Sequence, residues 1–438
     1  MLRKQGGWSA VFVFAMLLVP AIIVARSGGP PGGVTGGFGE GNCTQCHRTN
    51  PVNTGSGSVT ITPPASYVAG SYYPVRVSVR HPDQRRWGFE LSARTEAGQQ
   101  AGTLVVGSDG YTLLAQETNG IQYVSHSLLG TRIGTTGGAD FDFFWRAPAT
   151  ATGPIVLHAA GNAANGNDVN TGDFIYTTSA NVPAAPSTGT APTLPANSTV
   201  NGASFAPAPA TLAPGSIAAL FGTNLTAGPT TLSSVFGSDG RLVSDLVGVR
   251  VTVNGAAAPI FYATAEQLGV QIPADITGTT ANIQVTTAGQ ASVSRTINLD
   301  VAAPGIFTTN SQGTGQGIIV NATTGMMAAA SGSVPGLTTQ PARPGEDITI
   351  FATGLGQTSP AVPTGEKPSG LTRTVATPTV TIDGQPAEVT FSGLSSCCVG
   401  LNQINVKVPA AARASNTVPV VLTISGKQSN SVTIAVAN

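Results

Sequence analysis

Two stretches of this chain are closely similar: Leu212-Ala-Pro-Gly-Ser-Ile-Ala-Ala-Leu-Phe-Gly-Thr-Asn-Leu225 and Ala342-Arg-Pro-Gly-Glu-Asp-Ile-Thr-Ile-Phe-Ala-Thr-Gly-Leu355. Each has a Pro-Gly turn that leads into an apolar strand. Two further pairs follow in the same order, 251–255 with 380–384 and 267–273 with 403–409. The Asn-Gly and Asp-Gly dipeptides that end the first of these pairs are strong β-hairpin signals. The C-terminal half is therefore predicted to hold two related β-sandwiches of about 100 residues each.

The composition indicates strands and turns throughout the chain. Only 9% of the residues are charged, whereas 55 are glycine and 31 are proline, and the long runs alternate Val, Ile and Thr with small polar residues. This pattern is typical of all-β proteins and not of helices or of a charged disordered tail. The formal net charge is zero and no basic cluster occurs, so nucleic acid is not expected as a partner.

Residues 1–27 have the pattern of a secretory signal peptide. Arg3 and Lys4 precede an apolar run at 11–24, and Ala25-Arg26-Ser27 offers small residues for cleavage, which we place after Ser27. The run is shorter than the roughly 20 residues that cross a bilayer. We therefore expect an exported protein, periplasmic, cell-surface or extracellular, that contacts a membrane only if this segment is retained.

The pentad Cys43-Thr44-Gln45-Cys46-His47 follows shortly after that segment. In an exported protein, Cys-x-x-Cys-His is the attachment signature of haem c, in which the two thiols bind the vinyl groups and the histidine is the proximal iron ligand. A local Cys43–Cys46 disulfide that fixes the N-terminal segment is the alternative, because exported compartments are oxidising. A metal site or a free dithiol is a third interpretation.

A haem at this pentad raises the question of a second axial ligand. The three other histidines are His81, His126 and His158, and all lie in the same half of the chain. His81 precedes Pro82 in an Arg-rich turn and is expected to be a solvated loop residue. His126 and His158 are the candidate distal ligands, and for either one an ordinary hydrogen-bonded histidine is the alternative.

The segment 162–173 is rich in oxygen-bearing side chains and glycines. Asn165, Asn167, Asp168 and Asp173 are candidate ligands for calcium, although the segment lacks the order of an EF-hand and its terminal glutamate. Turns capped by these side chains are the alternative interpretation.

Cys397 and Cys398 are adjacent in the sequence and are predicted to form a disulfide that closes a turn. No histidine or acid accompanies them. The chain also has no nucleophile elbow, no His-Glu-x-x-His and no phosphate-binding glycine loop. These observations favour a protein without catalytic activity.

Two resemblances extend these predictions. The glycine-rich run 29–40, the pentad, Arg86-Trp-Gly-Phe-Glu-Leu91 and the Asn/Gly-rich run 159–167 resemble the reelin-type (reeler, choice-of-anchor) domains of bacterial secreted proteins, which implies a β-sandwich. The paired motifs of the second half, with Ala303-Pro-Gly-Ile-Phe307 between them, resemble the C-terminal domain of secreted acidobacterial proteins. That domain is similar to immunoglobulin-like (IPT/TIG) sandwiches and implies a surface or extracellular module.

The sequence thus predicts an all-β chain with three β-sandwich domains. Its parts are a signal peptide (1–27), a reeler-like head (28–180), a Pro/Ala/Thr linker (181–200), a first immunoglobulin-like repeat (201–305), a connecting segment (306–340) and a second repeat (341–438). The first functional hypothesis is an exported binding or adhesion protein without catalytic activity, whose partner is an unidentified extracellular protein or polysaccharide. The alternative is an exported mono-haem c-type electron-transfer protein.

Overall fold

The computed structural model describes residues 28–186, 190–206 and 210–438, so the predicted signal peptide lies outside the described residues. These residues form β-strands, turns and two single 3-10 turns, which confirms the all-β prediction. In the part of the chain that is described, no helix is long and apolar enough to cross a membrane.

The N-terminal domain, here called the head, is a sandwich of two antiparallel sheets. One sheet has the order β1-β2-β7-β4 and the other β5-β6-β3-β8-β9. The strands are β1 Ser58–Thr62, β2 Tyr72–His81, β3 Arg86–Thr95, β4 Thr103–Val105, β5 Thr112–Leu114, β6 Tyr123–His126, β7 Gly137–Arg146, β8 Ile155–Ala164 and β9 Phe174–Val182.

Aromatic side chains fill the space between the two sheets of the head. On β7, Phe141, Phe143 and Trp145 alternate with more exposed residues, as expected for a strand with one buried face. Phe89 of the opposite sheet packs on Phe141 with ring centroids 4.5 Å apart. The Trp145 indole Nε1 donates to the carbonyl of Ala101 at 2.8 Å, so its polar atom is satisfied inside the core.

Strand β3 is buried on both faces. Phe89, Leu91 and Ala93 point into the core, while Glu90, Ser92 and Arg94 on the other face are also buried. The second face is covered by residues 28–57, here called the arm, which crosses the outside of the β5-β6-β3-β8-β9 sheet: the Val34 amide donates to Glu90, and Glu40 pairs with Arg94. The arm therefore turns an outer sheet face into an interior one.

The first sandwich pairs a sheet of order β11-β20-β18-β14-β13, extended by β15 and β19, with a sheet of order β10-β12-β17-β16. Its hairpin turns at Asn254-Gly255, which have φ values of 48° and 81° and join Val253 to Ala256. The strands are β10 Thr199–Asn201, β11 Thr211–Leu212, β12 Ile217–Phe221, β13 Asp245–Leu246, β14 Val249–Val253, β15 Ala256–Ala258, β16 Ile260–Ala263, β17 Gln267–Gln271, β18 Thr280–Thr287, β19 Gln290–Ala291 and β20 Arg295–Leu299.

The second sandwich differs from the first in that its main strands are joined in one continuous sheet, because the long strand β27 pairs with both β26 and β28. Its sheet has the order β21-β23-β28-β27-β26-β29-β30, with β22 on β23 and β31 on β29, and a separate small sheet joins β24 to β25. Its hairpin turns at Asp383-Gly384, as predicted. The strands are β21 Gly305–Ile306, β22 Ile319–Asn321, β23 Asp347–Thr353, β24 Thr358–Ser359, β25 Arg373–Thr374, β26 Thr379–Ile382, β27 Gln385–Leu394, β28 Asn402–Lys407, β29 Ser415–Ile424, β30 Lys427–Gln428 and β31 Val432–Val436.

The head and the first sandwich share one sheet and one hydrophobic core. Leu246 of β13 pairs in parallel with Tyr72 of β2, and the Val247 amide donates to the Tyr72 carbonyl at 2.8 Å. Buried residues from both domains form a single cluster, whereas the second sandwich has a core of its own. The two domains are thus one packed unit.

The predicted linker 181–200 is not an extended spacer. It begins within β9 and ends within β10, and its described residues pack on both neighbours. The Ala185 amide donates to the Tyr67 carbonyl at 2.7 Å, and Arg295 Nε donates to the carbonyl of the buried Leu194 at 2.5 Å. A Pro/Ala/Thr composition predicts an extended backbone but does not reveal the domain surfaces on which that backbone lies.

The shared core predicts that the head and the first sandwich unfold together. Ile283→Ala, deep in the first sandwich, should cost about 2–5 kcal/mol of stability and lower the unfolding midpoint reported by the fluorescence of Trp87 and Trp145 in the head. Ile404→Ala in the second sandwich is the matched control and should lower only a separate calorimetric transition. A tryptophan midpoint that does not respond to Ile283→Ala would show that the head unfolds independently.

Candidate cofactor site in the head

The pentad is folded as a tight turn of the arm. Cys43–Gln45 is a single 3-10 turn, capped by the Asn42 side chain, which accepts from the Thr44 amide at 2.9 Å. The amides of Cys46 and His47 both donate to the Cys43 carbonyl, at 3.2 and 2.9 Å. This winding holds the two cysteines and the histidine close together on one short loop.

A charged cluster fixes the arm on the sheet. The Glu40 carboxylate accepts from the Arg94 guanidinium and from the Tyr123 hydroxyl, while its other oxygen accepts from the Thr35 hydroxyl at 2.7 Å. The Arg94 guanidinium also lies 5.0 Å from the ring centroid of Phe38 in the arm. Because Arg94 and Tyr123 are buried beneath the arm, this ion pair is shielded from solvent.

The imidazole of His47 is held in one orientation. Its Nδ1 donates to Asp173 Oδ2 at 2.5 Å, and Asp173 is only 1% exposed. On the other side of the ring, Asn162 Nδ2 lies 3.2 Å from His47 Nε2 and donates to it. With the proton on Nδ1, Nε2 carries the lone pair that a metal-ligating histidine uses, and a metal bound there would replace the hydrogen bond from Asn162.

A cavity of about 660 Å³ adjoins this histidine. Its volume lies within the range of roughly 300–1,000 Å³ that is usual for cofactor and small-molecule sites. The walls come from the arm, from β3 and β6, and from the 162–173 segment, and include Pro30, Pro31, Val34, Cys43, Cys46, His47, Arg86, Trp87, Phe89, His126, Asn162, Asp168, Val169 and Asp173. The pentad and one of the two candidate distal histidines therefore face the same space.

His126 is anchored on β3 through one ring nitrogen. Its Nδ1 lies 3.1 Å from the Phe89 amide nitrogen and 3.2 Å from the Phe89 carbonyl oxygen. Burial lowers the pKa of His126 to about 4, so the ring is neutral at physiological pH. The ring lies directly over Gly88, where an added Cβ would be 2.7 Å from Cε1. In the tautomer whose Nδ1 proton is donated to the Phe89 carbonyl, Nε2 carries a lone pair that could bind a metal; in the other tautomer, Nδ1 accepts from the Phe89 amide and Nε2 carries the proton.

The two other histidines lie elsewhere. His158 Nδ1 donates to the Thr35 carbonyl at 3.1 Å and its ring packs against Gly37, so it supports the arm and is not among the residues that line the cavity. His81 was expected in a solvated loop, but it ends β2, is 3% exposed and stacks on Phe174 with ring centroids 4.6 Å apart. That expectation was wrong because β2 extends to His81 itself and the turn begins only after it.

The two cysteines of the pentad are free thiols in this structure and are not joined in the alternative disulfide. Burial, with a smaller contribution from the Glu90 carboxylate, raises the pKa of Cys43 to about 12. Glu90 itself is fully buried, and this burial raises its pKa to about 8, although its Oε2 accepts from the Val34 amide at 2.6 Å. Both groups are therefore uncharged at neutral pH.

The candidate calcium residues are used within the segment that carries them. Asn165 Oδ1 accepts from the Asn167 amide at 3.0 Å, and Asn167 Oδ1 accepts from the Val169 amide at 3.1 Å. Asp168 pairs with Arg86 at 2.9 Å, and Asp173 with His47. Among the described residues, no group of three or more His, Cys, Asp or Glu could hold a metal ion. The geometry is that of side-chain-capped turns, and calcium stays an untested prediction.

Cys397 and Cys398 are joined in a disulfide in the turn between β27 and β28. Ser395 Oγ lies 3.3 Å from Cys397 Sγ. The pair lies in the second sandwich and is separate from the cavity of the head.

Three residues of the site were missed by the sequence analysis. Arg86 is the one Lys or Arg among the described residues that line the cavity. Asn162 donates a hydrogen bond to Nε2 of His47, and Glu90 is buried beneath the arm. Polar residues at every second position of β3 were visible in the sequence. They would ordinarily indicate a solvated face, and only the position of the arm shows that they are interior.

No protein-family model matches the chain, and no curated protein sequence matches it. Among solved structures, a cohesin module from a Clostridium perfringens family 33 glycoside hydrolase aligns with 17% identity over 30% of this chain and 98% of its own (TM-score 0.22). A non-cellulosomal cohesin from Archaeoglobus fulgidus aligns with 15% identity over 27% and 90% (0.18), and the plexin A4 extracellular region with 10% over 82% and 31% (0.19). These scores are too low to inform function, and the sheet topology alone defines the fold.

The raised pKa of Glu90 predicts a pH-dependent stability of the head. The folded head holds the Glu90 proton up to about pH 8, whereas the unfolded chain releases it near pH 4.5, so stability falls as the pH rises through this window. Glu90→Gln keeps an acceptor for the Val34 amide and cannot ionise. Its advantage over wild type should grow from pH 5 to pH 8, at about 1.4 kcal/mol for each unit of the shift.

Denaturant unfolding of the cofactor-free protein, followed by the fluorescence of Trp87 and Trp145, measures this difference. The exposed Glu96→Gln, on the turn after β3, is the matched control and should run parallel to wild type. If the Glu90→Gln curve is also parallel, Glu90 is ionised in the folded head at neutral pH.

Proposed function

We propose that this chain is an exported mono-haem c-type electron-transfer protein, in which the head binds the haem and the two sandwiches carry the head. The observation that supports the proposal most is one of placement: the two pentad cysteines, His47 and His126 line the same cavity. His126 follows His47 by 79 positions in the sequence. The fold therefore brings two thiols and two imidazoles, the groups that a haem c site needs, to one cavity.

The donor set fits a haem. Each thiol of Cys43 and Cys46 can add across a vinyl double bond, forming a carbon–sulfur bond while its hydrogen goes to the neighbouring carbon, so no oxidant is needed. His47 and His126 would hold the iron through their Nε2 atoms, because the Nδ1 atom of each ring faces a protein acceptor. When bound, the haem would supply a one-electron redox centre.

The other residues of the cavity suit the two chemically different parts of a haem, the apolar macrocycle and its anionic substituents. Trp87, Phe89, Val34 and the adjacent Pro30 and Pro31 provide apolar walls that exclude water from a macrocycle. Arg86 provides a cation for anionic ring substituents, and its guanidinium is already oriented by Asp168 at 2.9 Å. With both His47 and His126 as ligands, a bound haem would serve electron transfer rather than the binding or activation of a small molecule.

The first functional hypothesis, binding or adhesion without catalysis, is retained for the sandwiches. The second sandwich has a hydrophobic core separate from that of the head, so it can serve as a module of its own. We propose that the sandwiches present the head and contact an extracellular protein or polysaccharide, as their resemblance implies.

The haem proposal is tested by the full chain made in a host that attaches haem c. The expected product is coloured, shows a Soret band, and keeps its haem after denaturation and acidic acetone extraction. Cys43→Ala should weaken the covalent attachment and Cys43→Ala with Cys46→Ala should abolish it. The matched control is Cys397→Ala with Cys398→Ala, which removes the other two cysteines and should leave the haem content unchanged. A folded, colourless wild-type protein, or one with a Cys43–Cys46 disulfide found by mass spectrometry, would contradict the proposal.

The role of His126 is tested through the glycine beneath it. Gly88→Ala places a methyl group within 2.7 Å of the His126 ring and should displace it, so that the haem stays attached but most of the low-spin, six-coordinate absorption spectrum is lost. His126→Ala should give the same spectrum. Gly370→Ala, at a glycine with open space around its Cβ position, is the control and should keep the wild-type spectrum. A low-spin spectrum that persists in His126→Ala would exclude this histidine as the ligand.

A further inference from the structure

Asp173 is the buried carboxylate of the cofactor site. It immediately precedes β9, is 1% exposed, and accepts from His47 Nδ1 through Oδ2 at 2.5 Å. Its other oxygen accepts from the Asn165 amide at 3.1 Å, and its backbone carbonyl accepts from Asn50 Nδ2 at 2.9 Å. The carboxylate therefore has a fixed position, and it fixes the ring of His47 in turn.

A carboxylate in this position does more than orient the ring. By accepting the Nδ1 proton it makes the imidazole a stronger electron donor through Nε2. It also places a negative charge in a water-poor environment, where screening is weak and charges interact more strongly than in water. Both effects stabilise an oxidised iron, which carries one more positive charge than a reduced iron.

Asp168, the other acidic residue that lines the cavity, differs from Asp173 in its exposure and in its hydrogen-bond partners. Asp168 is exposed and pairs with Arg86 at 2.9 Å, so solvent and a cation offset its charge. It makes no hydrogen bond to a histidine among those described. The two aspartates thus separate the effect of a hydrogen-bonded carboxylate from that of a nearby negative charge.

We infer that Asp173 is a positioning residue that lowers the reduction potential of a haem ligated by His47, so that this chain works as a low-potential electron carrier. The inference rests on the proposed function and adds to it the property that determines the direction of electron flow. It also gives the chemical class of the partners: a donor of still lower potential and an acceptor of higher potential.

Potentiometric titration of the haem-loaded full chain tests the inference. Asp173→Asn keeps an acceptor for Nδ1 but removes the charge, and it should favour the reduced form at least tenfold, a positive shift of about 59 mV or more for a one-electron couple. Asp168→Asn should shift the potential by less than half as much. Equal shifts in the two variants, or no shift in Asp173→Asn, would overturn the inference.

A second measurement does not depend on the folding of Asp173→Asn. In reduced His126→Ala, His47 is left as the axial ligand, and resonance Raman spectroscopy reports its iron–nitrogen stretching frequency. A frequency in the range of strongly hydrogen-bonded, imidazolate-like ligands supports the inference, and one typical of a neutral imidazole contradicts it. A chain that attaches no haem contradicts the proposed function, whereas a loaded chain with a neutral-imidazole frequency contradicts only the role of Asp173.

Discussion

The head depends on the arm that covers the outer face of its β5-β6-β3-β8-β9 sheet. This face carries Glu90, Ser92 and Arg94, which would lie in water in an ordinary two-layer sandwich. The arm brings Glu40 to the Arg94 guanidinium and the Val34 amide to Glu90 Oε2, so both ionisable residues gain a partner as they lose water, whereas Ser92 Oγ and Glu90 Oε1 have none. The same docking places the pentad beside β8 and the 162–173 segment. The cavity is thus the space left where a third layer is laid over a two-layer sandwich.

The head, which carries the candidate site, is packed firmly on the first sandwich. The shared sheet and core between the head and the first sandwich give the cavity a fixed position on that sandwich. The junction between the two sandwiches includes polar contacts: Arg241 pairs with Glu366, and the Leu242 amide donates to the Gly365 carbonyl at 2.8 Å. One well-packed unit therefore carries the candidate redox site, and the second sandwich is attached to it through a junction that includes these polar contacts.

Local signals in the sequence are enough to predict the strands and hairpin turns. Which residues meet at the candidate site depends on long-range contacts that these signals do not show. The hairpins at Asn254-Gly255 and Asp383-Gly384 were predictable because a two-residue turn is specified by those two residues. The choice between His126 and His158 as the second histidine of the cavity was not predictable, because both lie on strands and their surroundings depend on where the arm crosses the sheet. The pairing of Asp173 with His47 spans 126 positions and has no local signature, so the sequence offers Asp173 only as a candidate calcium ligand or a turn cap. The linker was misjudged for the same reason.

The sequence separation of the contacting residues also determines when, during folding, the arm can dock on the head and complete the site. The contacts of Glu40 with Arg94 and Tyr123 form only when those residues have folded. The contact of His47 with Asp173 also requires the residue that immediately precedes β9, the last strand of the head. Contacts of such long range form late, since the loops between them must first be ordered. Until then the pentad remains on an undocked, solvent-accessible chain. A chain that acquires haem at Cys43 and Cys46 thus has an interval for attachment during its own folding, and this interval ends when β9 completes the sheet and the pentad docks on the head.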